Sequence, residues 1–216
     1  MHLGIETSSK NCSVALWDSM GNVWSNEKES DAFVHAEQLH QMIEELLAQA
    51  GATFKQLERV VVGRGPGSYT GLRIGVSCAK GIAYSLGIPL YSISTLVLMG
   101  IAKNVLSTPQ DILLVMDARR NEVYGSWFRD GVMSEPAAII FEEGTLNVES
   151  NQVFIVGENA TKLIPFLREG DKAFDVLPSA VWMANSAAAE FMLNEDVAYF
   201  EPQYVKPFVP TLSKKQ

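Results

Sequence analysis

The chain has 216 residues, 47% hydrophobic and 19% charged, which supports a packed core and excludes a disordered chain. Seventeen basic against twenty-five acidic side chains leave a formal charge of −8, which disfavours direct binding to phosphate backbones. Two scattered cysteines, Cys12 and Cys78, exclude a disulfide framework or a zinc ribbon and read as small buried hydrophobes.

Apolar runs at His2 to Thr7 and Cys12 to Asp18 flank the polar turn Ser8-Ser9-Lys10-Asn11, which predicts a hairpin. After a second turn at Met20-Gly21-Asn22 a third strand is expected near Val23 to Glu27. The period then changes. Ala36, Leu39, Ile43, Leu46, Leu47 and Ala50 fall three and four apart, the spacing of an amphipathic helix over Val34 to Ala50 that ends at Gly51. Arg59 to Gly63 reads as a β-branched strand, Gly71 to Leu86 as a second helix and Pro89 to Ser94 as a strand.

Near Thr108-Pro109 the pattern restarts with a hairpin, Ile112 to Asp117 and Glu122 to Phe128, around Ala118-Arg119-Arg120-Asn121. A turn at Asp130-Gly131 follows, then a strand at Val153 to Val156 and helices at Asn159 to Leu167 and Ser179 to Leu193. Each half opens with a hairpin whose first strand ends in a carboxylate, Glu6 and Asp117, which suggests two α/β lobes, 1–105 and 106–216, each with a mixed sheet. Pro202, Pro207 and Pro210 predict an extended tail. No basic region followed by an apolar run opens the chain, and the apolar stretch Leu86 to Ala102 is interrupted and falls short of a membrane span. A reducing cytoplasm is the expected location.

Three features bear on chemistry. A carboxylate at a strand end beside a turn of small polar residues can hold a magnesium ion and phosphates between two lobes, which makes Glu6, Ser8, Ser9 and Asp117 candidate nucleotide contacts. Two solvated turns with acidic flanks is an equally good reading. The glycine-rich segment Gly63 to Gly75 lacks the Lys of a P-loop, because Leu72 follows Gly71, and misses the glycines of a dinucleotide fingerprint at Ser68 and Thr70. It reads better as a tight strand-to-helix connection. In the second helix, Gly71, Gly75, Ala79 and Ala83 form a stripe almost without side chains. Gly75 and Gly81 each cost the helix roughly 1 kcal/mol against alanine. Close packing within the chain's own lobe and an interface with another chain both explain that composition. His35 and His40 lie about 140° apart on a helix and cannot share a metal as an i, i+4 pair does.

The string GRGPGSYTGLRIGVSCAKGIAYSLGIPLYSISTL, Gly63 to Leu96, resembles the TsaB (YeaZ) proteins of bacteria. The resemblance extends to LGIETSSKNCSVALWD, HAEQLHQMIEELL, DARRNEVYGSWF and EPQYVKPF, and so covers most of the chain. One departure is Glu6, where relatives are expected to carry aspartate; the longer side chain alters the reach of any metal bridge by one methylene. The resemblance implies an actin-like (ribonuclease H-like) two-lobed α/β fold related to the TsaD/Kae1 enzymes, once called glycoproteases. It implies a non-catalytic subunit that pairs with a TsaD-type protein, is joined by a TsaE-type ATPase, and supports transfer of threonylcarbamoyl from its adenylate to the adenosine 3′ of the anticodon. Such a chain would touch tRNA only indirectly and would need no cofactor of its own, ATP or ADP and magnesium belonging to the complex junction. The resemblance also tips the glycine-containing helix toward a partner. It points to His35, Gln38, Leu39, Met42, Ile43 and Leu46 on the first helix, and to Gly71, Leu72, Gly75, Val76, Ala79, Lys80 and Ala83 on the second, as a surface shared with a homodimer. The competing readings are an ATPase or phosphotransferase using the interlobe cleft, with Glu6 and Asp117 facing each other, and a metallopeptidase, which the histidine spacing opposes.

Overall fold

The computed structural model describes residues 1–29, 35–146, 149 and 152–206. The first half contains β1 (His2–Glu6), β2 (Asn11–Trp17), β3 (Val23–Glu29), α1 (His35–Gln49), β4 (Arg59–Gly63), α2 (Tyr69–Leu86), β5 (Leu90–Ile93) and α3 (Thr95–Lys103). The second contains β6 (Asp111–Asp117), β7 (Glu122–Arg129), β8 (Val132–Met133), β9 (Ala137–Ile140), β10 (Val153–Gly157), β11 (Lys172–Asp175) and β12 (Leu193–Glu195).

The two sheets repeat one topology. In the first the order is β3-β2-β1-β4-β5, with the hairpin strands antiparallel and β1, β4 and β5 parallel. In the second it is β8-β7-β6-β10-β11, again with an antiparallel hairpin and a parallel set β6, β10 and β11; β9 also pairs with β7. A doubled mixed sheet of this order is the actin-like, ribonuclease H-like arrangement. The central strands are near-continuous apolar runs because both faces are covered: every residue of β2 is buried, and β4 from Val60 onward is too. Edge strand β3, Val-Trp-Ser-Asn-Glu-Lys-Glu, alternates instead between exposed and half-buried positions.

Helix α1 lays Leu39, Met42, Ile43, Leu46 and Leu47 onto the first sheet. Helix α2 starts at Ser68, whose hydroxyl accepts the Gly71 amide, and ends at Gly87 in the left-handed region, φ 65°. Helix α3 does not follow from periodicity, because it is apolar on every side. Residues 95–101 are all buried, with Val97, Leu98 and Ile101 packed against the first sheet and Leu96 and Met99 against the second. A helix between two sheets has no polar face to show.

The predicted helices at Asn159 to Leu167 and Ser179 to Leu193 are 3₁₀ segments instead: Ala160–Phe166, Ala180–Ala184 and Ser186–Phe191. Pro165 removes an amide from the first, and Asn185, extended at φ −69°, ψ 138°, divides the other two. These last segments return to the first half. Ala180, Met183 and Ala188 pack with Ala15, Trp17 and Val61, and β12 adds antiparallel to the edge of β5. After a turn at 197–199 the tail runs without helix or turn over 200–204 and bends at 205–206; its remainder, with Pro207 and Pro210, lies outside the described residues.

Candidate functional site

The two hairpin turns face each other across a cleft of about 890 Å³. Ser8, Ser9 and Lys10 line it from the first lobe, Asp117, Ala118, Arg119, Glu122, Tyr124 and Glu158 from the second, and Tyr69 and Thr70 from the start of α2. Residues Gln203 to Lys206 of the tail close one side. The tail reaches this position by anchoring first to α2, where the Lys80 ammonium donates to the carbonyls of Ala198 (3.2 Å) and Phe200 (2.9 Å). The Gln203 amide then donates to Arg64 O at 2.7 Å, and the Tyr204 ring stands 4.7 Å from that of Tyr69.

The structure places Ser8, Ser9 and Asp117 on the cleft wall and leaves Glu6 behind it. Glu6 is fully buried. Its Oε1 accepts the Ser8 amide at 2.7 Å and its Oε2 accepts the Thr95 hydroxyl at 3.1 Å. A Cβ on Gly63 would overlap this carboxyl, so there is no room for an ion on that side. Burial pushes the Glu6 carboxyl above its usual range, outweighing those hydrogen bonds. The expectation that Glu6 faces Asp117 across the cleft is therefore corrected: Glu6 is a buried strut that ties β1 to the start of α3.

Asp117 is exposed to the cleft but already partnered. Lys162 Nζ pairs with its Oδ1, Asn159 Nδ2 donates to its Oδ2 at 2.8 Å, and the Arg119 amide donates to Oδ1 at 2.8 Å. Burial raises its carboxyl, but the hydrogen bonds from Lys162 and Asn159 win and hold it below the usual carboxylate range. Glu158, beside it, shows the opposite balance. Burial, reinforced by the Asp117 charge, raises it to about 7 against the opposing pull of Lys10.

The stripe Gly71, Gly75, Ala79, Ala83 is buried and faces the chain's own first sheet. A Cβ on Gly71 would overlap Thr7 O, and one on Gly75 would overlap Thr7 Oγ1. Ala79 and Ala83 pack in the core with Leu3, Ile5 and Val62. Leu39, Met42, Ile43, Leu46, Leu72 and Val76 are buried with them. These ten positions are core, not surface, and close packing within the lobe accounts for the small residues. Gln38 and Lys80 are half-buried, and the side chain of His35 lies outside the described residues.

The surface of the helix pair is a neighbouring stripe. Ser77, Gly81 and Ser85, spaced i, i+4, i+8 on α2, are exposed, and a Cβ on Gly81 would meet nothing within 4 Å. They border an apolar groove of about 550 Å³ between the two helices, walled by Ala36, His40, Phe54, Ile74, Ile82 and Leu86. The sequence signal was present in Gly81, an exposed helical glycine whose cost no packing inside the chain offsets.

Residues 28–137, about half of the chain, match the family model described as TsaD, tRNA N6-adenosine threonylcarbamoyltransferase. The TsaB protein of Haemophilus influenzae, named for tRNA threonylcarbamoyladenosine biosynthesis, is 28% identical over 94% of this chain and 92% of its own length. The Escherichia coli TsaB protein is 34% identical over 56% of this chain and 52% of its own. The solved structure of YeaZ from Pseudomonas aeruginosa superposes with a TM-score of 0.77 at 24% identity, covering 94% of this chain and 98% of that one. The chain belongs to the TsaB (YeaZ) family. In this TsaB-family chain the glycine-rich segment 63–75 serves as a socket for the first hairpin. The Ser68 amide donates to Ser8 O at 2.6 Å, the Thr7 hydroxyl donates to Gly71 O at 2.8 Å, and a Cβ on Gly67 would overlap Ser8 O.

Proposed function

We propose that this chain is a non-catalytic subunit in tRNA threonylcarbamoyladenosine biosynthesis, holding a TsaD-type catalytic subunit on the groove between α1 and α2. A TsaE-type ATPase joins that pair, and the complex moves threonylcarbamoyl from its adenylate to N6 of the adenosine 3′ of the anticodon. The lobe built on the first sheet carries the docking face, and the second sheet with the tail closes the cleft; of the expected lobes 1–105 and 106–216, the segment Ala180 to Glu195 joins the first. The observation that carries this reading is the open Ser77–Gly81–Ser85 stripe beside an apolar groove. Small residues let a second helix approach closely, and the flanking Ile74, Ile82 and Leu86 supply apolar area to bury. The same face would serve a homodimer. The phosphotransferase reading has less support, since Glu6 does not reach the cleft and Asp117 is engaged by Lys162.

The test is to replace Gly81 with Trp and co-purify the chain with the TsaD-type protein of the same cell. The expected result is loss of co-elution and of reconstituted tRNA modification, with the circular dichroism spectrum unchanged and the urea midpoint no lower than the parent's. Undiminished co-elution would overturn the assignment of the docking face.

A further inference from the structure

The tip of the β6–β7 hairpin carries a cost that packing does not explain. Arg119 and Arg120 are consecutive residues at positive φ, 75° and 50°. Non-glycine residues visit that region at a steric cost, and Asn and Gly are the residues that turns place there. Both arginines are exposed, and neither guanidinium has an ion-pair partner among the described residues. Two unpaired cations held side by side in a strained turn are unusual on a chain whose formal charge is −8. Arg119 lies on the cleft wall, and the same wall presents aromatic rings. On one side Tyr204 stands 4.7 Å from Tyr69, tilted by 32°, with Arg73 over the Tyr69 ring at 4.4 Å, so the Tyr204 ring and half-buried Tyr124 on the Arg119 side are the rings left to the cleft.

We infer that the Arg119–Arg120 tip and the adjoining cleft form a contact for single-stranded RNA, the two guanidiniums taking phosphates and the tyrosine wall taking a base. This deepens the proposed function: the chain would touch the RNA loop directly rather than only through its partner. The chemistry favours RNA over an acidic protein for two reasons. Guanidiniums pair bidentately with phosphate oxygens, and an aromatic wall beside them stacks bases without regard to sequence. A cleft of about 890 Å³ is in the size range of a small-molecule site, large enough for an extruded nucleotide. Of the acidic groups in the cleft, Asp117 is paired with Lys162 and Glu122 with Lys206, and burial raises the Glu158 carboxyl to about 7, so that it is only partly charged near neutrality.

The test exploits the strain. Replacing the tip as Arg119→Asn with Arg120→Gly removes both cations while suiting the positive φ values, so the variant is expected to melt no lower than the parent. The full chain, assembled with the TsaD-type protein, is titrated with a labelled anticodon stem-loop RNA by fluorescence anisotropy across a potassium chloride series. The expected loss is about tenfold in affinity at low salt, with the slope of log K against log salt flattened by roughly 1.4, two single-strand phosphate contacts at about 0.7 each. A second arm photocrosslinks 4-thiouridine RNA and maps the adduct to residues 117–129. Unchanged affinity and slope, or no adduct in that peptide, overturns the inference. Loss of the protein partner with RNA affinity retained also overturns it, in favour of an acidic protein on the tip. Complex formation is followed by gel filtration in the same samples. Failure of the parent to assemble would therefore indict the docking-face proposal, and the crosslinking of the chain alone at low salt would then decide the RNA contact.

Discussion

Thr7 and Gly75 share a space that admits no methyl group. The Thr7 hydroxyl donates to Gly71 O at 2.8 Å, and its oxygen stands where a Cβ on Gly75 would be. The contact locks the end of β1 against the first turns of α2, and so sets where the Ser8–Ser9 turn meets the cleft.

Gly75→Ala is therefore expected to destabilise the chain by about 3 kcal/mol, combining steric overlap with loss of a buried hydrogen bond. Gly81→Ala, six residues along the same helix and facing open space, should stabilise it by roughly 0.5–1 kcal/mol through helix propensity alone. Urea denaturation of the two variants measures both. A Gly75→Ala protein as stable as the parent would remove the physical account of the stripe.

Glu6 is predicted to act through its two hydrogen bonds, with burial opposing its charge. Its raised pKa means the folded state holds the proton more tightly than the unfolded chain, so ionisation costs stability as pH rises. Glu6→Gln keeps the length and one acceptor oxygen for the Ser8 amide, with its Nε2 donating to a rotated Thr95 hydroxyl, and should cost less than about 1 kcal/mol at pH 7. Glu6→Ala strips the Ser8 amide and the Thr95 hydroxyl of their acceptor in a buried site and should cost about 3 kcal/mol. Thermal unfolding at pH 7 separates the two, and equal losses would show that the charge matters.

The split between legible and hidden parts follows from range. Strands β1, β2, β4, β6 and β7 and helices α1 and α2 were readable because period and turn residues are local signals. Helix α3 was not, since burial between two sheets erased its periodicity. Strand β12, Leu-Asn-Glu, pairs with β5 across some hundred residues and has no apolar pattern to announce it. At the site, two strand-end carboxylates could be found by position. Their different fates could not, because Thr95 and Lys162 approach from 89 and 45 residues away. The small-residue stripe was found, but helical period cannot say which of two glycine faces the chain covers itself. Gly71–Gly75 and Ser77–Gly81 share one spacing, and Thr7 decides between them.

The Asp117–Lys162 pair should support the second lobe at neutral pH. The carboxyl is held below its usual range, so its contribution is present above about pH 4 and is lost as pH falls through the folded value. Lys162→Met is expected to cost about 1–2 kcal/mol at pH 7 and less at pH 3, as falling pH brings Asp117 toward its protonated form. Urea midpoints at the two pH values check this, and a loss independent of pH would assign the effect to packing of the lysine stem.

Glu158 runs the other way and makes the cleft sensitive near neutrality. Its carboxyl rises to about 7 through burial and then the Asp117 charge, with Lys10 and Lys162 opposing. The folded chain therefore binds this proton more tightly than the unfolded chain, whose value is near the ordinary 4.5. Stability contributed by the neutral form is intact below about pH 4.5 and declines as pH rises toward 7, after which the loss is complete. Glu158→Gln removes the titration. It should raise stability by about 2 kcal/mol at pH 8 and leave it unchanged at pH 4, since Gln resembles the protonated acid. The curve of unfolding free energy against pH should thus be flatter for the variant between 4.5 and 7. Parallel curves would mean that water entering the cleft keeps Glu158 ionised, and would remove the like-charge repulsion with Asp117 from the account of this site.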